Sequence, residues 1–326
     1  MKYKSIYTVI FVVAMLFITS CGKSEGTSSS GTKVLFSYSP QEGNPFRTNI
    51  AEAAKNQIES EGGTLEIVES EHSIEKQVEQ FKSAKSKGYG AIICIPEDAA
   101  TARQLIAAAD GLPVVFINAA PDDDVLEADQ YIYVGSNEEV AGQYQAEYVL
   151  ENSKDKSEIN VVILKGERGH SATKGRTQAA KKVFEESGKN VTIVFEDYAE
   201  WDTAQAKALF HTFLSTGRKA DYVLANNDAM ALGVVEAYKE NNIDFASAPI
   251  LGVDATVNGC ESIQENKMQF TVYQSANVQG EYAAKAAAIL AAGESISELE
   301  YADKDKKHVW IPFEKVTSDN VSKYIK

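Results

Sequence analysis

Short runs rich in β-branched residues recur along this chain with helical stretches between them, and that alternation constrains the fold more than any other feature. The runs fall at residues 34–38, 65–69, 91–95, 114–118, 132–134, 159–165, 191–195, 222–226, 250–253, 269–272 and 309–312. Between residues 73 and 87, Ile74, Val78, Phe81 and Ala84 share one helical face with charges opposite. Strand, helix and strand in repeated order make βαβ units, and βαβ units make parallel sheets. One sheet does not usually hold so many strands, so the expected fold is α/β with two doubly wound parallel-sheet lobes. No Pro-rich linker divides the chain, which suits a backbone that passes between its lobes several times. Asp98, and Asn227 with Asp228, stand where helix N-caps belong.

The N-terminus is of a different kind. Lys2 and Lys4 precede an apolar run over residues 6–18, too short for a membrane span and typical of an export signal. The run ends Ile18-Thr19-Ser20-Cys21, which resembles the lipobox of bacterial lipoproteins, so residues 1–20 are expected to be removed and Cys21 to carry lipid. Two acyl chains suffice for stable anchoring. Residues 22–32, GKSEGTSSSGT, have the composition of a flexible tether with a reach on the order of 20 Å. The expected location is outside the cytoplasm, held to the membrane on its periplasmic side or outer surface.

The formal charge is −15 and grows two units more negative once Lys2 and Lys4 leave. That acidity argues against nucleic acid or an anionic membrane surface as partner. Of the three cysteines, Cys21 is the lipid site, while Cys94 in AIICIP and Cys260 in a predicted helix read as reduced core residues.

In open α/β sheets ligands bind beyond the carboxyl ends of the strands. Polar and aromatic residues gather at those places: Asn44 and Phe46 after the first run, Asn118 after PVVFI, His170 and Arg176 after VVILKGERG, Asn227 after VLAN, Asp254 after ILGV, and Gln274 after FTVY. Trp201 sits in the polar loop EDYAEWDTAQ. Amides, carboxylates and a guanidinium engage adjacent hydroxyl pairs, and aromatic rings stack on the C–H faces of a pyranose. Singly, Asn44 and Asn227 also read as turn or cap residues, Asp254 as a cap, Arg176 as a solvated charge and His170 as structural. Their shared position relative to the strands favours a binding cleft.

The stretches YVGSNEEVAG, VVILKGERGHSATKGR, EWDTAQAK, LANNDAMALGVVEAY and ILGVDAT resemble the galactose/glucose-binding proteins and, more broadly, the ribose-binding family of bacterial sugar uptake and chemotaxis. The resemblance runs from Lys33 to Tyr324. It implies the type I periplasmic-binding-protein fold, with a multi-crossing hinge, a first lobe of residues 33–134 plus 276–305 and a second of 135–275 plus 306–326. It implies that Phe46 and Trp201 sandwich a sugar ring while Asn44, Asn118, His170, Arg176, Asn227, Asp254 and Gln274 bond its hydroxyls. Because the proposed ligand-binding residues come from both halves of the chain, hinge closure is expected, with the hinge near residues 118–121, 254 and 274–276. Asn44 and Gln274 look more like the ribose branch. Ala172 and Ala119 replace an aspartate and a lysine of the galactose/glucose proteins. In ENSKDKSEIN, Lys154 and Lys156 stand where that family has calcium-binding oxygens, so no calcium and no cofactor are expected.

The implied function is that of a substrate-binding lipoprotein of an ABC-type uptake system, with galactose or glucose favoured and a membrane permease as partner. The alternatives are a sensor presenting sugar to a chemoreceptor or histidine kinase, and a binder of a pentose, inositol or furanose. A sugar-responsive repressor would need a DNA-binding module where this chain has a leader and tether. An enzyme would need a nucleophile, metal cluster or phosphate loop, and KGERGH lacks P-loop spacing.

Overall fold

The computed structural model describes residues 31–41 and 45–325. The expected leader, Cys21, all but the end of the tether, and Asn44 lie outside the described residues.

Strands β1 (Lys33–Tyr38), β2 (Thr64–Glu69), β3 (Ala91–Cys94), β4 (Val114–Ile117), β5 (Tyr131–Gly135) and, from far along the chain, β11 (His308–Trp310) form one parallel sheet in the order β11-β5-β4-β3-β1-β2. The runs AIIC and VVFI are buried at every residue, as strands covered on both faces must be. Val34, Phe36 and Ile93 pack under α1 (Phe46–Ser60) and α9 (Ala276–Ala291). Their neighbours Leu35, Ile92 and Cys94 point to the other face, under α2 (Ile74–Ala84) and α3 (Ala102–Ala108).

The second lobe repeats the plan. Strands β6 (Ile159–Lys165), β7 (Val191–Tyr198), β8 (Tyr222–Ala225) and β9 (Ile250–Leu251) pair in parallel in the order β7-β6-β8-β9. Parallel bridges at Leu251–Phe270 and Asp254–Tyr273 carry this sheet on to β10 (Thr271–Tyr273), which pairs antiparallel with β12 (Glu314–Val316). Helices α4 (Glu138–Glu151) and α5 (Ser171–Glu186) cover one face; α6 (Thr203–Ser215), α7 (Asp228–Asn241) and α8 (Val257–Gln264) cover the other. Cys94 and Cys260 are buried and unpaired, in the cores of different lobes.

Two expectations need correction. Residues 308–310 belong to the first lobe: His308 and Val309 pair with Tyr133 and Val134 of β5, and Val309 is fully buried there. The hinge also lies elsewhere. After Asn118 the chain returns to β5 of the same sheet, and after Asp254 it stays in the second lobe as α8. The chain crosses between β5 and α4, between β10 and α9, and between β11 and β12, so only residues 274–276 of the expected hinge lie at a crossing.

Candidate ligand-binding cleft

Eight of the nine residues singled out in the sequence line one cavity between the lobes; the ninth, Asn44, lies outside the described residues. Phe46 opens α1 and Asn118 follows β4 on the first lobe, while His170, Arg176, Trp201, Asn227 and Asp254 come from the second and Gln274 from a crossing. The cavity holds about 380 Å³ of empty space, its open mouth included.

Local backbone chemistry sets these side chains. Asn118, Trp201 and Asp254 have φ of 67°, 62° and 112°, a conformation that costs a residue with a Cβ and is held here by the surrounding structure. Trp201 is only 9% exposed, so the tryptophan of a polar loop is in fact folded inward. Its ring lies over Gly166, where a Cβ would come within 2.1 Å of the indole, so no larger residue fits beneath it. His170 caps α5, accepting at Nδ1 from Ala172 N at 3.1 Å. Burial, and the fields of Arg47 and Arg176, pull its imidazole down to about 3. With Nδ1 accepting in a neutral ring, the proton sits on Nε2, leaving a donor beside Trp201, whose ring it meets edge-on at 5.4 Å.

Arg176 is the centre of the site. It is fully buried and fixed on three sides: Nε donates to Glu138 at 2.7 Å, one terminal nitrogen to the Asn226 carbonyl at 2.5 Å, and the other to Gln274 Oε1 at 3.2 Å. Two of its five N–H groups remain for a ligand. Burial alone would lower its pKa, but Glu138 and Asp254 hold it above the ordinary value. Asp254 lies 3.8 Å from Arg176 with no side-chain hydrogen bond among the described residues. Burial, together with Asp228 and Glu138, pushes it up to about 8 against the pull of Arg176. Asp228 is buried behind it, accepting from Thr256 N, Thr256 Oγ1 and Thr271 Oγ1. Asn227 spends Oδ1 on capping α7 through Met230 N at 2.9 Å, so both the cap reading and the cleft reading of this residue hold geometrically, with Nδ2 left over.

Two lining residues, Gln41 and Arg47, were not legible in the sequence, nor was Glu138, which lies behind Arg176. Arg47 directly follows Phe46 and reads as an ordinary helix charge, yet burial lowers its pKa while Glu167 and Glu97 raise it. Glu138 looks like a first-turn acid favoured by the helix dipole. Ala172 also lines the cavity and presents only a methyl group to it. Among the described lining residues there is no serine, threonine or cysteine, so the arrangement offers hydrogen bonds and ring faces but no hydroxyl or thiol nucleophile. Among the described residues the one grouping of metal-ligand type, Asp123, Asp305 and His308, lies outside this cavity with both imidazole nitrogens already facing carboxylates.

Comparison with known proteins agrees with this geometry. A family model described as a periplasmic binding protein domain matches residues 36–295. The chain is 28% identical over 319 residues to a putative rhizopine-binding protein of Rhizobium meliloti, covering 97% of each. It is 30% identical over 300 residues to the D-galactose/methyl-galactoside binding periplasmic protein MglB of Haemophilus influenzae, covering 86% of this chain and 89% of that one. Among solved structures it matches an ABC transporter solute binding protein from Bacillus halodurans with bound myo-inositol, at a TM-score of 0.80 and 28% identity, over 92% of this chain and 99% of that one. The family match over most of the chain, the two-lobed parallel architecture and the interlobe cavity agree: the chain belongs to the periplasmic binding protein family, in its ribose/galactose-type class I branch of sugar-binding proteins.

Proposed function

We propose that the protein is the exported, lipid-anchored solute-binding component of an ABC-type importer, and that it captures a six-membered ring polyol between its lobes. The observation that carries this reading is the convergence of Phe46 and Trp201 with the planar polar groups of Asn118, Arg176, Asn227, Asp254 and Gln274 on one ring-sized cavity. A ring with hydroxyls on its edge and C–H groups on its faces matches that lining. Within this class a cyclitol such as myo-inositol is the first candidate. Ala172 offers no charged acceptor at the end of the site where the galactose/glucose proteins hold the anomeric group, and a cyclitol has no anomeric centre. The bound myo-inositol of the Bacillus halodurans relative supports the same choice. Galactose or glucose is the second reading, favoured by the 30% identity to the Haemophilus galactoside-binding protein.

Titration calorimetry of the purified protein against myo-inositol, D-galactose, D-glucose and D-ribose tests the reading. Tight one-to-one binding of myo-inositol or of a hexose is expected, and failure to bind any ring polyol would refute it. The same reading assigns no calcium. Lys156 pairs with Asp221, and Lys189 Nζ takes the Lys154 carbonyl at 3.3 Å, so ammonium groups occupy that loop. Added calcium is expected to leave Tm unchanged; a rise would overturn the assignment. The likeness to an ABC transporter component supports delivery to a permease.

A further inference from the structure

A second and larger chamber opens between the lobes beside the ring pocket, and Arg47 and His170 line both. Its empty space is about 1710 Å³, mouth included, against about 380 Å³ for the first. The second space is thus several times larger than the first. The space does not come from lobes standing apart. Ala120 N donates to Ser171 Oγ at 2.9 Å across the cleft, and both residues line the chamber. Short side chains line it, Ala99, Ala100, Ala119 and Ala120 on the first lobe and Gly169 and Ser171 on the second.

The walls define what fits. Trp310 and Tyr133 supply one wall, their rings edge to face at 5.8 Å, with Trp310 stacked on His308 at 4.6 Å. The lining also carries Arg168 and Lys174 among the carboxylates of Glu97, Asp98, Asp122, Glu138, Glu139 and Glu167. Mixed donors and acceptors beside an aromatic surface suit a second hydroxylated ring. A phosphate would face carboxylates, and an apolar group would strip them of water without replacing its hydrogen bonds.

We propose that the ligand is a ring polyol bearing a second hydroxylated ring, a glycoside of disaccharide size, with the second ring housed in the Trp310 chamber. The inference rests on the ring-polyol reading of the first pocket. The chain has two tryptophans, and the cleft places one in each space: Trp201 in the ring pocket, Trp310 in the chamber. The purified protein is titrated with myo-inositol against galactosyl-myo-inositol, and with D-galactose against lactose and melibiose. At least one two-ring probe is expected to bind within threefold of its parent or tighter. In Trp201→Phe, where Trp310 is the sole reporter, that probe alone should shift the emission. Ala100→Trp should weaken the two-ring probe tenfold or more while the parent stays within threefold; Ala99→Trp gives the same test if the first variant does not fold. Parents that bind while every two-ring probe is rejected a hundredfold would overturn the chamber and leave the ring reading standing. Two-ring binding indifferent to both variants and silent at Trp310 would overturn it too. If neither parents nor two-ring probes bind, the ring reading fails and takes the chamber with it.

Discussion

Asp254 is the residue of the cleft whose charge is hardest to keep. One guanidinium, Arg176, stands among the buried carboxylates of Glu138, Asp228 and Asp254, and burial raises Asp254 to about 8. An ordinary aspartate titrates near 4, so between those limits the folded chain holds a proton that the unfolded chain has released. Stability is therefore greatest at the acid end of this window and falls as pH rises through it, by up to about 1.4 kcal/mol per unit. His170 runs the other way: its folded value of about 3 lies below the usual 6.5, so its contribution grows as pH rises across that interval. Asp254→Asn removes the first slope and keeps the second. Without ligand, the variant's Tm should match wild type at about pH 4 and below, exceed it increasingly up to about pH 8 and hold a constant excess above that, and parallel Tm profiles would refute the buried-charge account. The positions of these groups were legible because each follows a strand. Arg47 and Glu138 were not, because a charge in the first turn of a helix carries no sign of being buried until the opposing lobe or helix is in place.

Between elements, the contact that matters most for the cleft is the crossing of α4 and α5. A Cβ on Gly142 would stand 2.0 Å from the carbonyl oxygen of Arg176, so the helix bearing the central guanidinium rests directly on the backbone of α4. Gly142→Ala must push α5 away and with it Arg176, at an overpacking cost of about 1–3 kcal/mol. Ligand affinity is expected to fall tenfold or more. Val149→Ala, at a buried position of the same helix, should lose comparable stability while keeping its affinity. Equal affinity losses in the two variants would show that α4 acts through stability alone. The parallel strands, read from apolar runs, were legible at this scale. Strand β12 was not, since three residues reading EKV alternate too briefly to stand out. Nor was the lobe to which β11 belongs, because its pairing with β5 joins segments far apart in sequence and no local pattern records such a partner.

At the scale of the molecule, the lobes touch directly as well as through a ligand. Ser171 Oγ, at the start of α5, accepts from the backbone of Ala120 on the opposite lobe. Arg47 of the first lobe also lies in the field of Glu167 of the second. Three crossing segments allow the lobes to rotate, so these contacts bias the balance between open and closed forms. An uncharged hydrogen bond contributes about 0.5–1.5 kcal/mol, which changes that balance by roughly twofold to tenfold. Apparent affinity falls by the fraction of protein no longer closed, since only the closed form encloses the ring. Ser171→Ala should therefore weaken binding by up to about tenfold, expressed mainly as faster dissociation, with no change in the ligand's rank order. Small-angle scattering should show the ligand-free variant more expanded than wild type, and both compacting to the same radius when saturated. If the variant's radius and dissociation rate match wild type, the Ala120–Ser171 contact does not bias closure, and the crossing segments alone set the equilibrium.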